Sequence, residues 1–128
     1  MAIIHKIGAI ILRDRTILVA KKKDTFIMPG GRIEPGESDL DCLRRELEEE
    51  FQVQVQSYYY FHTFEDAAAL DPGMKVSMKV YLVTIAGEPR ASGEITEIAY
   101  VNSHFTGKMG SIVQKQIIPL LVERGLLD

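Results

Sequence analysis

Apolar and polar positions along this chain switch between a period of two and a period near 3.6. Lys6 to Leu12 and Thr16 to Ala20 are short runs rich in Ile and Val, separated by Arg13-Asp14-Arg15, and they predict a β-hairpin. Thr25 to Met28 predicts another short strand. Pro29-Gly30-Gly31 stops it, because proline fixes φ and glycine opens backbone shapes closed to other residues. Arg32 to Glu37 reads as a loop. Beyond it, Leu40, Leu43, Leu47 and Phe51 fall on one stripe at ~100° per residue, the mark of a helix with a buried face. Ser38 is its N-cap, with Asp41 in the acidic place of a capping box.

Val53 to Phe64 and Met74 to Ala86 predict two long strands that pair. They are joined by a loop, Glu65 to Gly73, ending in the turn signal Asp71-Pro72-Gly73. Ile98 to Val101 is a short strand. Gly110 to Arg124 closes the pattern as a helix, with a break or kink at Pro119 and a stop at Gly125. Strands interleaved with helices predict a layered α/β architecture with a mixed sheet. The 128 residues suit a single domain, residues 1–128, with no repeat or linker in the pattern.

Composition narrows the function. A net charge of −3 speaks against a broad footprint on duplex nucleic acid, while leaving room for a small anion in a locally positive pocket. Ile7 to Leu12 is the longest apolar run near the N-terminus and is far too short to span a membrane. A single cysteine, Cys42, forms no internal disulfide and suits a reducing, cytoplasmic setting. It sits mid-helix with no activating base, which reads as packing.

The chemistry concentrates in Arg45-Glu46-Leu47-Glu48-Glu49-Glu50. Glu46, Glu49 and Glu50 stand at i, i+3 and i+4 and share a face, where like charges repel unless something neutralises them. Most acidic helix faces are simply solvated. These glutamates, however, border the Leu stripe and follow a Gly-rich loop that can approach a ligand. Hard oxygen donors at this density suit Mg²⁺, with Mn²⁺ as substitute.

From Gly31 to Val53 the chain reads GRIEPGESDLDCLRRELEEEFQV. This resembles the Nudix box, G-x5-E-x7-R-E-U-x-E-E-x-G-U, with Gly31, Glu37, Arg45, Glu46, Leu47, Glu49, Glu50 and Val53 on its positions. Gln52 stands where the motif has its second glycine. A glutamine in the left-handed shape that ends a helix costs roughly 1 kcal/mol, the alternative being a helix that ends differently.

The resemblance implies the Nudix α/β/α sandwich and a Mg²⁺-dependent hydrolase. Such an enzyme splits a phosphoanhydride bond in a nucleoside diphosphate linked to some group X, by attack of a metal-activated water. The short chain favours a nucleoside triphosphate or modified nucleotide. By the same resemblance the metal ligands are Glu46, Glu49 and Glu50, with Glu37 supporting from the loop and the Gly30 carbonyl as a further donor. The catalytic set is Glu49, Glu46 and Arg45. Arg45 orients the glutamates, and Glu49 is the first choice of general base, with Glu94 or Glu97 as alternatives. Gly31, Phe26, Glu94 and Glu97 are the candidate substrate contacts, and Phe26, Tyr60 and Phe64 could stack on a base or belong to the core. Lys21-Lys22-Lys23 could meet phosphates or form a solvated turn. Partners are then a small nucleotide and, at most, a second copy in a homodimer. The rival reading is a catalytically silent Nudix domain that binds a nucleotide or protein. Its mark would be a lost helix glutamate, and none is lost.

Overall fold

The computed structural model describes residues 2–67 and 73–128. Among the described residues, eight strands form two four-stranded sheets. One runs β5 (Gly30–Arg32), β1 (Ile3–Ile10), β7 (Lys75–Ala86), β6 (Gln54–Ala67). It is mixed: β1 lies parallel to β7 and antiparallel to β5, and β6 is antiparallel to β7. The other joins β2 (Leu12–Arg13), β3 (Thr16–Lys22) and β4 (Thr25–Ile27), with β8 (Ile95–Val101) on the far side of β3.

Both faces are covered, and the sequence pattern explains how. In β3, Ile17 and Val19 enter one core and Leu18 and Ala20 the other, all at 0% exposure. Successive side chains of a strand point to opposite faces, so an unbroken apolar run requires a layer on each side. On one side Leu43, Leu47 and Phe51 of α1 (Asp39–Phe51) fill the gap. On the other, Ile117 and Leu121 do so, from a π-helical turn (Val113–Ile117) and α2 (Ile118–Glu123). This is the α/β/α sandwich. Truncating a buried leucine such as Leu47 to alanine would cost roughly 2–5 kcal/mol.

Three expectations change. The predicted hairpin splits: only Leu12–Arg13 pairs with β3, while Ile3–Ile10 crosses into the other sheet. Asp14 and Arg15, both at positive φ, make the tight turn. The Gly30-Gly31 break is a short strand pairing with Lys6, Ile7 and Gly8. Gly30 has φ +134°, and a β-carbon there would sit 2.1 Å from the Ile7 carbonyl oxygen, so only glycine lets the strands meet. Glu65 to Ala67, expected in a loop, continue β6. The rest of that loop, 68–72, lies outside the described residues.

α1 starts as the pattern requires. The Ser38 hydroxyl accepts from Asp41 N–H, and the Asp41 carboxylate accepts from Ser38 N–H. The connection between β7 and β8 covers the other end, where Arg90 N–H and Ser92 N–H donate to the Phe51 and Glu50 carbonyls. At the last helix, the π turn sits just before Pro119. Proline has no N–H for the Lys115 carbonyl and its ring would strike that carbonyl in a regular turn. The wider turn instead lets Ile118 N–H reach the Val113 carbonyl.

Gln52 adopts the left-handed shape, φ 55° and ψ 39°, with its N–H on the Glu48 carbonyl. Gln52→Gly should therefore stabilise the fold by up to ~1 kcal/mol. A urea titration that shows no gain would mean that the 3.3 Å bond from Gln52 Nε2 to Ser92 offsets the backbone strain.

Candidate active site

The box residues come together through one guanidinium. Arg45 projects from α1 back over the preceding loop. Its Nε and Nη2 meet the two oxygens of Glu37 at 2.6 and 3.0 Å, and Nη1 meets Glu46 at 2.8 Å. Nη2 also donates to the Arg32 carbonyl at 3.1 Å. A planar fork matched to a carboxylate binds strongly and fixes direction. Arg45 holds the Glu37 carboxyl down at about 2, helped by the Glu34 N–H. The i,i+4 contact to Glu49 is long, 3.7 Å, so the main partner of Arg45 is the loop glutamate.

Glu37 thus has both oxygens engaged and serves to anchor the loop. Glu46 and Glu50 converge instead. Glu46 lies against the backbone of Gly31, where a β-carbon would come within 2.6 Å of its carboxylate oxygen. This is the physical reason for glycine at that place in the box. Glu50 is the one buried charged residue among those described, at 8% exposure. Burial first, and then its hydrogen bond and charge repulsion with Glu46, push its carboxyl up to about 8. Glu49, on the same face, stays open to solvent.

A divalent cation fits this donor set. Two carboxylates pressed together in a half-dry site hold a proton that a cation would replace, and both are hard oxygen donors. Among the described residues no three acidic, His or Cys side chains already enclose a cation position. Mg²⁺ commonly takes only one or two carboxylates and completes its shell with water and substrate phosphates.

One cation, Lys22, faces the carboxylates, and two more lie beyond it. Lys22, predicted as phosphate contact or solvated turn, pairs with Glu94 at 2.8 Å and feels Glu50 and Glu46. Lys6, which the pattern did not single out, is half-buried beside Arg32 and Lys22. Burial, then those two cations, lower its pKa. Its register partner on β5 is Arg32, a cross-strand pairing that sequence spacing alone does not reveal.

Other candidates fall elsewhere. Phe26 does not reach the site: it is buried in the core, edge-on to Phe105. Phe64 is likewise core, and Tyr60 lies exposed on the free edge strand. Glu94 is near the carboxylates through Lys22, whereas Glu97 is exposed opposite Lys21. Cys42 is packing, as expected, its thiol pushed up to about 12 mainly by burial. Next to Gly30 and Gly31 opens a cleft of about 230 Å³.

The box-like loop and acidic helix thus sit together on an α/β/α sandwich, and comparison with known proteins names the family. The family model described as NUDIX domain matches residues 5–119. The fold is similar to a MutT NUDIX hydrolase from Burkholderia pseudomallei: TM-score 0.79, 21% identity, covering 96% of this chain and 98% of that one. It is also similar to the ORF135 protein of E. coli, with TM-score 0.80, 22% identity and coverage of 97% and 92%. A UDP-X diphosphatase matches with TM-score 0.73 and 18% identity over 98% of this chain and 64% of that one. The chain belongs to the Nudix family. Among the described residues, no helix is long and apolar enough to cross a membrane.

The raised Glu50 carboxyl links folding to pH. Between its ordinary value of 4.5 and about 8, the folded chain keeps a proton that the unfolded chain has lost. Stability from this group is therefore complete below pH 4.5 and disappears as pH rises through about 8. In the metal-free protein, stability measured in urea should fall more from pH 5 to pH 8.5 in wild type than in Glu50→Gln. Parallel profiles would show that Glu50 titrates normally.

Proposed function

We propose that the chain hydrolyses a phosphoanhydride bond of a nucleoside diphosphate derivative, with Mg²⁺ as cofactor and a nucleoside triphosphate or modified nucleotide as preferred substrate. The observation that carries this reading is the buried, proton-sharing pair Glu46–Glu50 beside the Lys22 ammonium. Negative donors for a cation and positive donors for phosphate lie side by side there, which is the charge layout that a metal–polyphosphate complex requires.

Glu46, Glu50 and Glu49 would hold the cation, with the Gly30 carbonyl as a further donor. When bound, it supplies charge neutralisation on the phosphates and on the leaving oxygen. Glu49 keeps a solvent-open carboxylate on the same helix face and takes the proton from the attacking water. Arg45 is a positioning residue. It turns Glu46 toward Gly31 and prevents the loop from drifting away from the helix. Glu37 acts through Arg45. Lys22 draws the substrate's phosphates to the carboxylates, and Glu94 steers Lys22. Water attacks phosphorus, the P–O–P bridge breaks, and a nucleoside monophosphate leaves with phosphorylated X or pyrophosphate.

The test is release of phosphate and pyrophosphate from a nucleotide panel with Mg²⁺, for wild type, Glu49→Gln and Glu50→Gln. Both variants should lose turnover by ~10²-fold or more while remaining folded. Wild-type protein that binds nucleotide with Mg²⁺ yet releases no product would be a silent binder.

A further inference from the structure

The cleft beside Gly30 and Gly31 has two chemically opposite poles. Lys6 stands at one, on β1, next to Arg32. Among the described residues, neither Lys6 nor Arg32 has a carboxylate within ion-pair distance, unlike Lys22. At the other pole is Asp66 on β6, with Ser111 beside it. Register places the two poles on one face of the sheet. Lys6 lies opposite Met78 of β7, and Asp66 lies opposite Val76. Two strand spacings, roughly 10 Å, separate them. Between them the walls are apolar, with Val76, Met78, Met28 and Ile112.

Asp66 is held in place. Its Oδ2 accepts from the Ser111 hydroxyl at 2.6 Å and its Oδ1 from Ala67 N–H at 2.8 Å. Each carboxylate oxygen retains a free lone pair, and an ionised carboxylate can only accept. A group facing it must therefore donate. The cleft, about 230 Å³, is smaller than the roughly 300–1,000 Å³ of sites that enclose a whole drug-sized ligand. It suits one heterocycle with its phosphates outside. Gly8 leaves room for it: a β-carbon there would lie 2.9 Å from the Met78 sulfur and 3.1 Å from that of Met28, so two adaptable methionines pack against bare main chain.

We propose that this cleft holds the base of the substrate nucleotide, that Asp66, fixed by Ser111, selects bases presenting an amino group, and that Lys6 binds the phosphate attached to that nucleoside. The inference rests on the hydrolase reading for where the phosphates lie. It assigns Asp66 and Lys6 as specificity-determining residues. Cytosine and adenine present an amino donor where uracil and hypoxanthine present a carbonyl. That carbonyl would face the Asp66 carboxylate with two acceptors in opposition.

Calorimetric titration of wild type with cytidine and uridine monophosphates, and with adenosine and inosine monophosphates, tests this without any variant. The amino member of each pair should bind roughly tenfold tighter or more. Asp66→Asn should erase or invert the preference, because an amide can donate to the carbonyl. Ser111→Ala should weaken it. Lys6→Met should weaken monophosphates and leave the free nucleosides unchanged. Equal affinity within both pairs in wild type, or no measurable binding of either member, overturns the proposal, as does an unchanged preference in folded Asp66→Asn. Turnover separates the two levels. Hydrolysis without an amino preference defeats only the base assignment, and the preference without hydrolysis defeats only the hydrolase reading.

Discussion

The grip of Arg45 on Glu37 and Glu46 is the interaction on which the site depends. It is a single side chain bonded to the loop before α1, to the helix itself and to the Arg32 carbonyl at the end of β5. Without it, the loop and the helix that carry the like-charged glutamates would lose a cation bonded to both. The fork binds Glu37 and Glu46 closely, stands 3.7 Å from Glu49, and among the described residues leaves Glu50 without an ion pair. That division of labour, with some acids neutralised by protein and others left unneutralised, prepares a place for an outside charge.

The energetic tension is local. Keeping Glu50 buried beside Glu46 destabilises the fold once both ionise, and the apolar layers on each side of the sheets offset it. Strain of this kind persists where the surrounding structure over-determines the geometry. Here the determinants are visible: Leu47 and Phe51 hold the helix face, and the connection after β7 donates to the Glu50 carbonyl.

Much of this was legible in the sequence, for physical reasons. Ser38 and Asp41 interact within one helical turn, so their capping box could be read from spacing. The Leu stripe and the αL geometry of Gln52 were equally local. Legibility ended where partners are brought together by the sheets. The switch of β1 into the sheet opposite β3 depends on pairing with β7, some seventy residues away. Lys6 and Asp66 share a cleft only because β7 lies between their strands. Phe26 looked like a stacking surface, but one strand position decides between cleft and core, and it falls on the core side.

Gly8, Gly30 and Gly31 adjoin across β1 and β5, each excluding a side chain for a different reason: a methionine sulfur, a carbonyl, a carboxylate. Bare main chain is thus all that partitions the carboxylates on the helix side from the cleft on the other. Such a membrane-thin wall transmits displacement in both directions. A methyl group at Gly31 would push the Glu46 carboxylate and one at Gly8 the methionine floor, whereas at Gly30 it would strike main chain that cannot yield, so Gly30 is the least replaceable of the three. Gly36 and Gly73 have open space around them, and there only their positive φ, +82° and +80°, resists a side chain.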